Sequence, residues 1–328
     1  MLLLNEKDIK SVVTMKEVIE ADKKAFQMIA SGDVDVPLRL GIKAPKHDAE
    51  FLFMPSYAAG EEVAAVKVIN IFPHNPEQGL NASPAQVLLI DGTTGVIVSL
   101  LDGATVTKMR TGASSGAAFD VLGKKDCRIG GMIGTGGQAA TQLEAMCAAR
   151  DLEEVRIFDL KHEHCVEFCA KMQKQLAQYN TKFTPVNSAD EACEEADLFI
   201  TMTPSATPVF DGTKIKAGCT VSCVGTYEPN KHEMDPAVLP RASKIICDHK
   251  ETALSETGDL LIPIADGIIT KDDVLGSLGD VIDGRIPGRE SDDEIIVYET
   301  VGVASQDLMA AKLIYEKAKA AGIGTEWN

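Results

Sequence analysis

A chain of 328 residues, 45% hydrophobic and 25% charged, is long enough for two domains that each bury a core. Its net charge of −17 argues against a polyanionic partner such as nucleic acid, because no basic stripe offsets that field. No apolar run reaches the roughly 18 residues that span a membrane, so no membrane association is expected.

The chain opens Met-Leu-Leu-Leu-Asn-Glu-Lys-Asp-Ile-Lys, without the basic start and long apolar core of a signal peptide, so the expected location is the cytoplasm. Through the first 120 residues, apolar runs at 63–71, 85–91 and 95–101 read as strands, the last two joined by a hairpin-like turn at Asp91-Gly-Thr-Thr-Gly95. Lys67 stands in the middle of the first run among Val and Ile, where burial lowers an amine towards proton exchange near neutrality. Two further cations are placed oddly. Arg39 sits in Val-Pro-Leu-Arg-Leu, and Arg110 precedes the small-residue run Thr111–Ala118, which reads as a tightly packed helix. Guanidinium forks bind carboxylates bidentately, so two arginines and a lysine in one cleft suit a carboxylate substrate.

From about residue 127 the pattern changes to short apolar runs alternating with amphipathic stretches. Strands are predicted at 127–133, 155–159, 183–186, 198–202, 220–225 and 244–248, with helices over 138–150 and around Cys165, Phe168, Cys169 and Met172. Such alternation implies an α/β fold with a doubly wound parallel sheet. A last strand at 294–299 leads into an amphipathic helix over 305–320. That helix is expected to rejoin the N-terminal part, which gives a discontinuous α+β domain (1–120 and 304–328) around a Rossmann-type domain (121–303).

The strand at 127–133 runs into Gly134-Thr135-Gly136-Gly137-Gln138-Ala139, which opens the next helix. In that context Gly134 permits the tight turn, Gly136 lets the backbone approach a pyrophosphate, and Ala139 allows close helix packing. The helix N-terminus offers free N–H groups to the phosphates. Asp159, at the end of the following strand, can accept the ribose hydroxyls and would repel a 2′-phosphate, which favours NAD over NADP. Lys161 nearby leaves NADP possible.

The eight cysteines are scattered among apolar residues and read as reduced, buried thiols. Neither Cys165-x3-Cys169 nor Cys219-x3-Cys223 has a second pair at zinc spacing, so no metal site is expected. The histidines form no Ser/His/Asp arrangement.

Together these segments resemble the ornithine cyclodeaminase/μ-crystallin family over nearly the whole chain. The likeness is carried by Val36-Pro-Leu-Arg39, Met54-Pro-Ser-Tyr57, Val66-Lys67-Val-Ile-Asn70, Asn75-Pro-Glu-Gln-Gly79-Leu80, Leu100-Leu-Asp-Gly103, Arg110-Thr, the Gly134 turn and Val301-Gly-Val-Ala-Ser-Gln-Asp307-Leu. The resemblance implies a homodimer paired through the substrate-binding N-terminal domain, and NAD(P)-linked chemistry at a carbon bearing an amino or imino group. It implies that Arg39 and Arg110 hold the substrate carboxylate and that Lys67 handles the nitrogen's proton. It also places Thr203, Val224, Gly225, Tyr227, Lys231 and Thr300 along the cofactor, with Val301 near the substrate at the nicotinamide end.

One departure separates branches of that family. Where the cyclodeaminases carry a catalytic aspartate, Val224-Gly225-Thr226-Tyr227-Glu228-Pro229 presents tyrosine, whose ordinary pKa of about 10 suits proton abstraction poorly. Ala82 likewise replaces a family threonine. Glu228 would substitute for the missing acid if it turned inward, and Asp307 is a second candidate acid at the head of the last helix. The reading is therefore an NAD(P)-dependent oxidoreductase moving hydride to or from the Cα of a small L-amino acid or its imine, such as an alanine-type substrate or pyrroline-2-carboxylate. An ornithine or lysine cyclodeaminase is one alternative, and a non-catalytic, crystallin-like dinucleotide-binding protein is the other.

Overall fold

The computed structural model describes residues 1–327 and separates into two compact units, one formed by Met1–Arg110 with the segment from Val303 on, the other by Thr111–Gly302. The first boundary falls at Arg110, before residue 120, inside the helix Gly103–Leu122.

The first unit is built on an eight-stranded mixed sheet. Its antiparallel core pairs Ala49–Ala58 with Val63–Ile71, then Ala85–Asp91, then Ile97–Asp102. The turn expected at Asp91 forms: its carboxylate accepts the N–H groups and hydroxyls of Thr93 and Thr94, and Gly95 takes φ +73°. Among the elements not anticipated are the short strand Leu2–Leu4, paired parallel to Ile97–Asp102 on one side and antiparallel to Thr325–Glu326 on the other, and the long strand Ala49–Ala58. Three residues are too few for a periodic signal, and Ala49–Ala58 is broken by Pro55. The helices Met15–Ser31 and Ala304–Ala321 pack together and the second also lies on the sheet. Both end on a glycine in the left-handed region, Gly32 and Gly322.

In the second unit eight parallel strands run in the order Lys182–Pro185, Glu154–Phe158, Ile129–Ile133, Leu198–Thr201, Thr220–Cys223, Ile296–Glu299, Lys244–Cys247 and Val274–Ser277. The chain winds outward from Ile129–Ile133 first to one side and then to the other, so this is a doubly wound, Rossmann-type sheet. The strands Leu198–Thr201, Thr220–Cys223, Ile296–Glu299 and Lys244–Cys247 are buried at every residue because both faces are covered: Phe199 joins one core cluster, Leu198 and Ile200 the other. Small residues begin this unit because larger ones would not fit. A Cβ on Gly112 would lie 2.5 Å from the Thr141 carbonyl oxygen, and Ser115 bonds Ser222 at 2.9 Å. The strand Val274–Ser277, short and containing Gly276, had no sequence signal.

All eight cysteines are buried and unpaired. Among the described residues no helix is long and apolar enough to cross a membrane, and no group of His, Cys, Asp and Glu could hold a metal ion.

Candidate active site

In the first unit, Lys67 lies between Met54 and Val87 on neighbouring strands and is 1% exposed. Alternation puts its side chain on the same buried face as Val63 and Ala65. A buried ammonium requires a partner. It has one in Asp307, whose Oδ2 accepts from Lys67 Nζ at 2.6 Å, while Arg110 Nε stands 3.4 Å from Asp307 Oδ1. Burial first, and then the positive charge of Arg110, push the Lys67 amine down to about 7 against the pull of Asp307, with Arg39 adding to the depression. Lys67, Arg110 and Asp307 are thus together, and Arg39 is near enough to be felt. The group sets the Lys67 ammonium and the Arg110 guanidinium around the Asp307 carboxylate.

In the second unit, Gly134 ends the central strand with φ +104°, and its N–H donates to the Phe158 carbonyl at 2.9 Å. A side chain there would be strained and would crowd the Met202 carbonyl and Thr203. Gly136 and Gly137 face open space where a Cβ would sit. Gln138 caps the helix Ala139–Ala149 without a side-chain hydrogen bond, and its buried Oε1 has no partner among the described residues. Asp159 lies just past its strand. It accepts Thr135 N–H at 2.9 Å and Thr135 Oγ1 at 2.7 Å on one oxygen, and Lys161 N–H at 2.9 Å on the other. Burial would raise its carboxyl, but these hydrogen bonds hold it below the ordinary range and keep it an anion. An open glycine backbone leading into a helix start, and a fixed carboxylate at the end of the next strand, fit a dinucleotide.

The sequence pattern of the ornithine cyclodeaminase/mu-crystallin family matches residues 1–322. The chain belongs to that family. It is 35% identical to a Δ1-pyrroline-2-carboxylate reductase of Bacillus cereus over 324 residues, 99% of this chain and 98% of that one. The solved structure of Thermococcus litoralis Δ1-pyrroline-2-carboxylate reductase, in complex with NADH and L-proline, matches with TM-score 0.94 and 38% identity over all of both chains. An archaeal alanine dehydrogenase dimer with bound NAD matches with TM-score 0.90 and 30% identity, covering 100% of this chain and 99% of that one.

Within the family's frame the remaining candidates fall in two places. Thr300 and Val301 follow the strand Ile296–Glu299, and the buried Asp248 gathers them: its Oδ2 accepts from Thr300 Oγ1 at 2.8 Å, Val301 N at 2.9 Å and Gly302 N at 2.7 Å. Val224, Gly225, Tyr227, Glu228 and Lys231 lie beyond the strand Thr220–Cys223, with Tyr227 39% exposed. Glu228 does not turn inward. It pairs with Lys231 at 2.6 Å on a part-exposed loop, so the inward turn on which its catalytic role depended is not made, the nearby lysine being a partner that costs no burial.

The inward acid is Glu233, which the sequence reading passed over. It is fully buried and accepts Thr203 N–H at 2.6 Å and Gly225 N–H at 2.7 Å, tying together the ends of two parallel strands. Burial, then the negative charge of Asp259, lift its carboxyl to about 7. Glu233, Asp248 and Asp259 carry no sign of their burial in the sequence. Only the partners that the fold delivers reveal them.

Proposed function

We propose that this protein is an NAD-dependent oxidoreductase acting between a small L-amino acid and its imine, with a cyclic imine such as Δ1-pyrroline-2-carboxylate as the preferred substrate. One observation carries the reading: a buried lysine with an amine near neutral, set beside a buried aspartate and an arginine. In this reading Arg110 and Arg39 fix the carboxylate. Lys67 gives the nitrogen its proton during reduction and takes it back during oxidation, with Asp307 steering the ammonium. When bound, the nicotinamide supplies or accepts the hydride at Cα. Gly134, Thr135, Gly136, Gly137, Gln138 and Ala139 present backbone to the pyrophosphate, and Asp159 favours the unphosphorylated ribose. The T. litoralis relative, solved with NADH and L-proline, supports this substrate class. Ring closure with loss of ammonia is disfavoured, since Tyr227 is exposed and Glu228 is engaged by Lys231.

Following NADH oxidation at 340 nm with Δ1-pyrroline-2-carboxylate, and NAD reduction with proline and alanine, tests the proposal. Tight dinucleotide binding with no turnover of any imino or amino acid would sink it.

The reading includes a homodimer formed by the first unit and a cytoplasmic location. Leu38, Leu40, Ile42, Phe51 and Tyr57 are exposed around the hairpin of Leu40–Ala44 with Ala49–Ala58, an apolar patch that a second copy would cover. The archaeal alanine dehydrogenase is described as a dimer. Eight unpaired thiols suit a reducing compartment. Light scattering of the wild type and of a Leu40→Asp, Ile42→Asp variant checks the dimer; a wild-type monomer contradicts it.

A further inference from the structure

The side chain of Gln306 is fully buried one residue before Asp307, near the start of the helix Ala304–Ala321. Its Oε1 accepts the Val303 N–H at 3.0 Å and faces Arg110 Nη1 at 3.4 Å. Its Nε2 donates to Asp22 Oδ2 at 2.8 Å and points to the Arg110 carbonyl at 3.5 Å. Asp22 is also fully buried and belongs to the helix Met15–Ser31. One amide therefore joins three helices at the point where Arg110 emerges.

The orientation of that amide is forced. The Val303 N–H and the Arg110 guanidinium only donate, so the amide oxygen must face them, which leaves the NH2 group for Asp22 Oδ2 and the Arg110 carbonyl. With the amide reversed, an NH2 group would meet the Val303 N–H and the Arg110 cation, and the amide oxygen would meet Asp22. Arg110 is thus flanked on two sides, with Asp307 Oδ1 3.4 Å from Nε and Gln306 Oε1 3.4 Å from Nη1. A planar fork flanked at two points has the tilt of its plane restrained.

We propose that Gln306, oriented by Asp22, is a positioning pair that aims the Arg110 guanidinium at the substrate carboxylate. The inference rests on the reading that Arg110 holds that carboxylate, and it adds a residue of the helix Met15–Ser31, remote in sequence from every candidate motif, to the determinants of substrate affinity. Neither side chain needs to touch substrate. Their effect passes through the angle of the fork.

The test is steady-state kinetics with Δ1-pyrroline-2-carboxylate and NADH on the full chain, with folding followed by thermal denaturation. Gln306→Leu is expected to raise KM for the imino acid about tenfold, the loss of a hydrogen bond to a charged group, and Gln306→Glu by a similar factor because its carboxylate cannot donate to Asp22 as the amide NH2 does, while KM for NADH moves less than about twofold. Asp22→Asn, nearly isosteric, is expected to act in the same direction, because a neutral amide, able to turn its own NH2 group towards Gln306, holds the glutamine less firmly than a carboxylate acceptor does. The decisive variant is the double change Asp22→Asn with Gln306→Glu. It swaps amide and carboxylate, so the new Asn amide donates to the new Glu carboxylate, which can still accept from Val303 N–H and Arg110. KM for the imino acid should return to within about threefold of wild type, a coupling that a merely structural pair of losses would not show. Singles that lower kcat and disturb both KM values alike, with no recovery in the double variant, overturn the proposal. So does a normal imino-acid KM in Gln306→Leu, if Arg110→Lys raises it. Should Gln306→Leu not fold, Asp22→Asn and the double variant decide alone. If Arg110→Lys itself leaves KM unchanged, the carboxylate assignment has failed, and the positioning pair with it.

Discussion

The candidate sites of the two units handle charge by opposite means. The first concentrates it, with Lys67, Arg110 and Asp307 all buried within one cluster and the lysine amine pushed down to about 7. The second spends few side chains. Around Gly134 it offers backbone N–H groups, open glycine faces and one fixed carboxylate, Asp159. Concentrated charge gives groups that can exchange a proton and fix a small anion, but each depends on its neighbours. A backbone cradle gives affinity for a large anion without proton chemistry, and it tolerates change wherever the main-chain path is kept.

That contrast is breakable. The largest expected effect is Lys67→Met, which should lower kcat by about 10²–10⁴-fold while leaving NADH affinity, measured by fluorescence titration, unchanged. The same residue predicts a pH profile. With the amine titrating at about 7, imine reduction needs the ammonium, so its kcat/KM should fall as pH rises through that value, and amino-acid oxidation should rise. The inflection should vanish in the methionine variant; its persistence there would assign it to another group.

Next in size is Arg110→Lys, which keeps the charge but loses the fork. It should raise KM for the imino acid about 10–100-fold with a smaller change in kcat. In the second unit, Asp159→Ser removes the anion that repels a 2′-phosphate, so the ratio of NADH to NADPH activity should shift by about tenfold towards NADPH. An unchanged ratio would mean that Asp159 serves only to hold the Thr135 turn. The smallest effect is expected for Glu233→Gln. Only one of its two terminal atoms can still accept, so one of the Thr203 and Gly225 N–H groups loses its partner. A several-fold rise in KM for NADH, with KM for the imino acid untouched, is the expected outcome.

Much of this molecule was legible before any fold was known. The glycine turn and its strand–turn–helix setting are local, because dinucleotide recognition depends on backbone conformation over a few consecutive residues. Lys67 announced itself as a charge in the middle of an apolar strand, and Arg110 as a charge before a run of small residues. Family resemblance linked them to one reaction. The strand Leu2–Leu4 was missed for lack of length, and Glu233, Asp22 and Gln306 because a polar residue in a loop or on a helix carries no mark of burial.

What the sequence alone determined is therefore the set of local devices: the glycine turn, the strand lysine, and the replacement of an acid by Tyr227. The tertiary structure decided which of them work together. Asp307 is 240 positions from Lys67, and Gln306 is 284 from Asp22, yet each pair is in hydrogen-bond contact. It also decided which acid is free to turn inward, placing Glu228 against Lys231 and Glu233 in the interior. The physical reason is the same in each case. Burial and electrostatic pairing depend on neighbours brought together by the packing of the sheet and helices, and spacing along the chain does not encode them.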